Sequence, residues 1–412
     1  FRYMFLLRTS LRPRPLQVGA VIEAQEGSLK KLVSPRARLE VVTEGLDGML
    51  AAPVWRHDPS LGRGYLLFSQ VDSNRIWRWE EGGGAFTIGR SLFLENAGCH
   101  RRILQSQMIA APDSLPQSSG SCKGSARNGA LALALAPKID DGARLLVLVE
   151  GGNKRVTRLE ANGTRTVLHP LRPRVPSHGS PNSIAIAEDG SYFFTVPPLT
   201  LPPSPPFETS EDAVTASEGA GTPRNSRTHG WIVHSSSLTA PHTPPDAQET
   251  DNASEKTIGA LWSANDVVSP SAVALYPSGS LLYVADADPR DPHWRVYESK
   301  SLPSPPDSPA TDHAEPRKAG ERGHFGQVFA RPPTGLQGSP GGLCVDSEGN
   351  IFATFGAGGV LVFAVGTGKL LGTIDTGGME ASGAAFGDDG FLYITVRSSV
   401  LRVPAHALPA LK

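Results

Sequence analysis

A chain of 412 residues exceeds ordinary single-domain size. With 44 Gly, 36 Pro and 39% hydrophobic residues, it reads as short strands joined by many turns. A formal net charge of −1 gives no long-range field, so neither nucleic acid nor a membrane surface is an expected partner.

In chain order, residues 1–38 read as a leader expected to be disordered. Its apolar start is broken by Arg8, Arg12 and Arg14, too soon for a secretory core, and its basic, Ser/Pro-containing character suits a transit-peptide remnant. The folded part is expected over 39–404, with a tail over 405–412. It opens on LEVVTEG (39–45), expected to supply a closing strand to the last repeat. A strand, turn and strand follow in APVWRHDPSLGRGYLLFSQ (52–70), then a third strand in NRIWRWE. Residues 99–127 interrupt the second unit, which resumes as NGALALALAPKIDDGARLLVLVE (128–150), with further strands in KRVTRLE and TRTVLH.

Four stretches then align without gaps: PNSIAIAEDGSYFFTV (181–196), PSAVALYPSGSLLYVA (270–285), PGGLCVDSEGNIFATF (340–355) and ASGAAFGDDGFLYITV (381–396). Each is an alternating apolar strand, a polar turn with glycine at the tenth place, and a second strand rich in aromatic and β-branched residues. Those glycines are Gly190, Gly279, Gly349 and Gly390. Residues 199–256 and 286–326 are crowded with Pro, Ser, Thr and acids and read as disordered insertions. Six hairpin units predict an all-β, six-bladed β-propeller with long irregular insertions, because radial closure leaves only short strand edges.

Cys99, Cys122 and Cys344 are too few for a disulfide framework and lack the pairing of a zinc site. A reducing compartment, cytoplasmic or organellar rather than secreted, is the simpler expectation, and a Cys99–Cys122 loop closure in an exported protein is the alternative.

YLLFSQVDSNRIWRW, LFLENAG, GGNKRVTRLEANGTRTVL, SPN with DGSYFFTVPP, and GSPGGLCVDSEGNIFATFGAGGVLVF occur in the order found in bacterial-type gluconolactonases. The chain therefore resembles the gluconolactonase/regucalcin family, over roughly 39–403 apart from the insertions. The resemblance implies one divalent cation (calcium, zinc or manganese) at the mouth of the central channel. There it would polarise a sugar-lactone carbonyl while a carboxylate activates water.

The family's ligand positions fall on Ala51 (a Glu in the family), Asn182 (Asn kept), Ser271 (Asn in the family) and Gly341 (the Asp that doubles as base). Asn182 alone keeps its identity. Its loop-building role, bonding turn backbone, weighs equally against metal or substrate contact. Asn128, at the family's second-blade position, is a second candidate substrate contact. Val196 replaces the family's acid in FTVPP, and Arg174 lies near its basic contact. Glu44, Asp47, Asp286 and Asp288 are candidate substitute carboxylates, with solvated-loop or capping roles as the plainer expectation. His100 and His178 read as loop residues.

Two functions stay open. One is a pseudoenzyme: a gluconolactonase-like propeller with a degenerate metal site that binds a small molecule, without catalysis or with altered specificity. The other is an active metal-dependent lactonase using substitute ligands. A scaffold displaying the Ser/Pro-rich loops is a third possibility.

Overall fold

The computed structural model describes residues 14–15, 20–23, 29–58, 62–81, 89–99, 129–137, 144–170, 179–198, 230–235, 238, 261–262, 267–298 and 326–407. Asn128, Arg174, His100, His178 and Cys122 lie outside them.

Each hairpin unit becomes the first two strands of an antiparallel blade. Blade 1 comprises Leu50–Asp58, Arg63–Gln70, Arg75–Glu80 and Gly89–Glu95, and blade 2 comprises Ala130–Leu135, Leu146–Glu150, Arg155–Leu159 and Arg165–Pro170. Blade 3 is built from Ser183–Ile186, Tyr192–Val196, Trp231–Ser235 and Leu261–Trp262. Blade 4 follows with Pro270–Leu275, Leu281–Asp286, His293–Glu298 and Gln327–Ala330, and blade 5 with Leu343–Val345, Ile351–Thr354, Val360–Phe363 and Leu370–Asp375. Blade 6 is Ala381–Phe386, Phe391–Val396 and Ser399–Pro404, completed by Glu40–Thr43 from the other end of the chain. First strands touch one another in ring order, with that of blade 6 against that of blade 1, so the six blades close around a central channel.

The repeat glycines act where the hairpins turn. Gly190, Gly279, Gly349 and Gly390 all have φ between 71° and 92°, a left-handed conformation that a side chain would strain. In the first three, the glycine N–H bonds the carbonyl three residues back, closing a tight turn. Apolar faces between blades carry the packing. Phe352 of blade 5 meets Phe386 of blade 6 edge to face at 4.9 Å, and Trp55 of blade 1 stacks on Tyr393 of blade 6 at 5.2 Å. Such pairs contribute about 0.5–1.5 kcal/mol beyond their area.

Closure is held by charge as well as by pairing. The Arg402 guanidinium bonds Glu40 at 2.8 Å and Glu81 at 2.7 Å and lies over the Phe391 ring at 4.0 Å. Burial alone would lower its pKa, but the two carboxylates raise it above the ordinary arginine value.

Three stretches contain more structure than their composition predicts. Within the expected leader, Ala20–Glu23 pairs with Leu370–Asp375 on the outer edge of blade 5, and Leu29 is fully buried. Within the expected insertions, Trp231–Ser235 and His293–Glu298 are the third strands of blades 3 and 4. A four- to six-residue strand flanked by Pro and Ser is outweighed by its neighbours in any composition window. Cys99 is disulfide-bonded, against the simpler expectation of free thiols and compatible with the alternative of a loop closed through Cys99, and Cys344 is free.

Candidate functional site

The channel has two ends of different character: one where the inner strands begin, and one where they run into the hairpin turns.

At the strand-start end, Ala51, Asn182, Ser271 and Gly341 sit at corresponding places in blades 1, 3, 4 and 5. The Asn182 N–H bonds the Thr195 carbonyl and the Gly341 N–H bonds the Thr354 carbonyl, the same register in two blades, while Ala51 pairs with Ser69 in blade 1. The fold therefore brings the four family positions to one level of the channel.

The two polar side chains among them bond a neighbouring blade's backbone. Asn182 donates its amide Nδ2 to the Ser271 carbonyl at 2.6 Å, joining blade 3 to blade 4. Ser271 donates its hydroxyl to the Pro340 carbonyl at 2.9 Å, joining blade 4 to blade 5. The Gly342 N–H reaches the Ser382 carbonyl at 3.1 Å, and the Ser382 hydroxyl reaches the Leu50 carbonyl at 2.6 Å, carrying the chain of joints through blade 6 to blade 1. Ser180 adds a bond from blade 3 back to the Gly151 carbonyl of blade 2 at 2.8 Å. Ala51 is buried and carries no donor. A Cβ on Gly341 would lie 2.5 Å from Thr354 Oγ1, so the threonine side chain occupies the space that a side chain at 341 would need.

The buried carboxylates near this end already have partners. Glu150, fully buried at the end of Leu146–Glu150, accepts bonds from Asn153 Nδ2 (2.7 Å), Arg155 Nε (2.6 Å), Thr157 Oγ1 (2.8 Å) and Arg165 Nη1 (2.9 Å). Burial pushes its pKa up, but Arg155 and Arg165 outweigh that and hold the carboxyl below the ordinary glutamate range. Asp286, also fully buried, caps backbone: it accepts the N–H groups of Val268 and Ser269 at 2.8 Å and of Asp288 at 3.1 Å. Asp288 accepts the Arg290 N–H at 3.0 Å. Glu44 and Asp47 are exposed, and their carbonyls take bonds from Arg90 and Gln70. Among the described residues, no three His, Cys, Asp or Glu side chains converge as a metal ion would require.

Sequence reading missed the Glu150 cluster and the three serine joints made by Ser180, Ser271 and Ser382. The signal was present for the first: an acid ending the otherwise apolar run LVLVE, with arginines five and fifteen residues on, is a buried charge that needs pairing. The serines gave none, because the carbonyls they bond belong to other blades.

At the turn end, the channel widens into a cavity of about 740 Å³, within the range of small-molecule pockets. Its wall takes Val54, Leu133, Ile184, Val273, Leu343 and Ala384 from the six inner strands in turn. Arg144, Glu188 and Tyr276 are among the residues that border it, and the four family positions are not.

Residues 260–398 match the family described as the SMP-30/Gluconolactonase/LRE-like region. A gluconolactonase from Zymomonas mobilis is 33% identical over 138 residues, which is 32% of this chain. The match spans about a third, 34%, of that protein. Among solved structures, a gluconolactonase from Xanthomonas campestris superposes with a TM-score of 0.59 at 20% identity, covering 97% of this chain and 99% of that one. The calcium-binding regucalcin of Agrobacterium tumefaciens does so at 0.50 and 14% identity, covering 90% and 94%. At these identities the structural likenesses establish the fold alone. The gluconolactonase/regucalcin resemblance read from the sequence is matched over residues 260–398, and the chain folds as a six-bladed propeller.

Proposed function

We propose that this propeller binds a small molecule in its channel and does not hydrolyse lactones, its ancestral metal level having been rebuilt as joints between blades. The observation that carries this is the Asn182 amide donating to the Ser271 carbonyl at 2.6 Å, with the Ser271 hydroxyl donating onward to Pro340. A divalent cation must lose water to bind, and carboxylate oxygens are what offset that cost. Here the two positions that would supply carboxylates are Ala51 and Gly341, and the polar side chains that remain are neutral and directed at backbone. The residues present therefore do not fit the divalent cation that the resemblance implies. With no carboxylate at position 341, the base that would activate water is missing too.

The test is lactone hydrolysis by the full chain in a pH-stat, over sugar and aliphatic lactones, with added calcium, zinc or manganese and again with chelator. The expected result is no metal-dependent rate above the chelated control. Turnover that appears with metal and vanishes with chelator would overturn the proposal.

A further inference from the structure

At the turn end of the channel, Arg144 forms no ion pair with another of the described residues. Arg144 begins at the edge of blade 2 and lines the cavity, with its guanidinium bonding the Ala136 carbonyl through Nε (2.9 Å) and the Leu135 carbonyl through Nη2 (3.3 Å). Those two bonds fix the group's plane against the end of the inner strand. Among the described residues, Nη1 has no partner and no carboxylate comes within ion-pair distance. Burial lowers its pKa, which marks a charge partly removed from water. Glu188 is the carboxylate whose field Arg144 feels, and it is exposed. The other acid at this rim, Asp189, is occupied by the Ser191 N–H at 2.8 Å and hydroxyl at 2.6 Å.

Besides Arg144 the cavity has an apolar ring, and Glu188, Asp189, Ser191, His234, Ser278 and Ser280 also border it. The ring from Val54 to Ala384 gives one aliphatic side chain per blade, and Trp55 and Phe386 add aromatic surface. An apolar ring beside a fixed, incompletely bonded guanidinium matches an amphipathic anion. The planar fork of arginine matches a carboxylate in both shape and charge.

We infer that the turn end of the channel is a binding site for a small organic carboxylate with an apolar or aromatic body, its carboxylate on Arg144 and its body against the ring of inner-strand side chains. The inference rests on the proposed binding role and moves the ligand from the strand-start end, where the resemblance would put it, to the opposite end. Glu188 then acts against the ligand as a like charge near the guanidinium.

The experiment is isothermal titration of the full chain with 2-naphthoate, and with 2-naphthylmethanol as the uncharged counterpart. The unmodified protein is expected to favour naphthoate. Arg144→Gln should weaken naphthoate about ten- to a hundredfold, the worth of a charged hydrogen bond, while leaving naphthylmethanol unchanged. Arg144→Lys should retain part of the preference, and Glu188→Gln should tighten naphthoate about two- to fivefold. Equal affinity for the two compounds, or no binding of either, overturns the inference with no variant needed. So does an Arg144→Gln protein that is folded by circular dichroism and binds naphthoate undiminished. The pH-stat assay reads the catalytic question separately, so metal-dependent lactonase activity beside Arg144-dependent naphthoate binding would sink the first proposal and spare this one.

Discussion

The two ends of one channel are built on different physics. Where the inner strands begin, polar groups are buried and bonded: Asn182, Ser271 and Ser382 join blade to blade, and Glu150 is surrounded by four donors. Where the strands end, the hairpin turns border a cavity, and the contact between His57 of blade 1 and Asp388 of blade 6 is exposed. The repeat supplies the same hairpin at both ends. What differs is where side chains can reach a neighbour's backbone, and that decides which end is sealed and which is open to a ligand.

The largest effect that could break this contrast lies at Glu150. Glu150→Gln keeps the shape but removes the charge that offsets Arg155 and Arg165, and Arg165 is itself held below the ordinary arginine pKa by burial. Breaking a buried pair in this way costs about 3–5 kcal/mol, read as a shift in the urea midpoint. The sign with pH follows from the lowered carboxyl value. The stabilisation is complete above the ordinary glutamate value of 4.5 and is lost as pH falls through the lower folded-state value. The gap between the two proteins should therefore narrow in acid. A gap that stays constant with pH, or a loss below about 1 kcal/mol, would mean that the strand-start end is not held by buried charge.

Asn182→Ala asks the same question of a neutral joint. It removes the donor from the Ser271 carbonyl across the blade 3–blade 4 seam and should cost about 1–2 kcal/mol in the same urea titration. An unchanged midpoint would show that the amide does not hold the seam. Asn182 would then be free to turn its oxygen into the channel, reopening the ligand role that its position suggests.

The sequence made the blades legible because their first hairpins repeat. Gly190, Gly279, Gly349 and Gly390 occupy one place in four aligned segments and take one backbone conformation in the fold. The closing strand at Glu40–Thr43 was legible too, since a propeller with three strands at its C-terminal blade needs a fourth from elsewhere. Strand Ala20–Glu23 was not, because an edge strand added outside a blade is held mainly by backbone hydrogen bonds, to which composition is nearly blind. The site was half legible. The sequence shows that Ala51 and Gly341 carry no ligand, but not that Asn182 and Ser271 face carbonyls of the next blade. Arg144 was invisible for the same reason: one arginine two residues ahead of a strand says nothing until the fold sets the channel wall beside it.

The smallest effect tests the open end. His57 Nδ1 lies 2.9 Å from Asp388 Oδ2, and the other Asp388 oxygen accepts the Trp55 indole N–H at 2.6 Å, so one carboxylate bridges the end of blade 1's inner strand to the turn of blade 6. On distance alone this equals the joints at the other end. Exposure separates them: the two side chains are 53% and 44% accessible, so water and salt compete for both groups. His57→Ala should therefore cost about 0.5 kcal/mol or less, and the difference should vanish in high salt. A loss of about 1.5 kcal/mol that survives salt would put a joint of the strand-start kind at the turn end. The open cavity would then be a braced one, and burial of bonded polar groups would no longer distinguish the two ends.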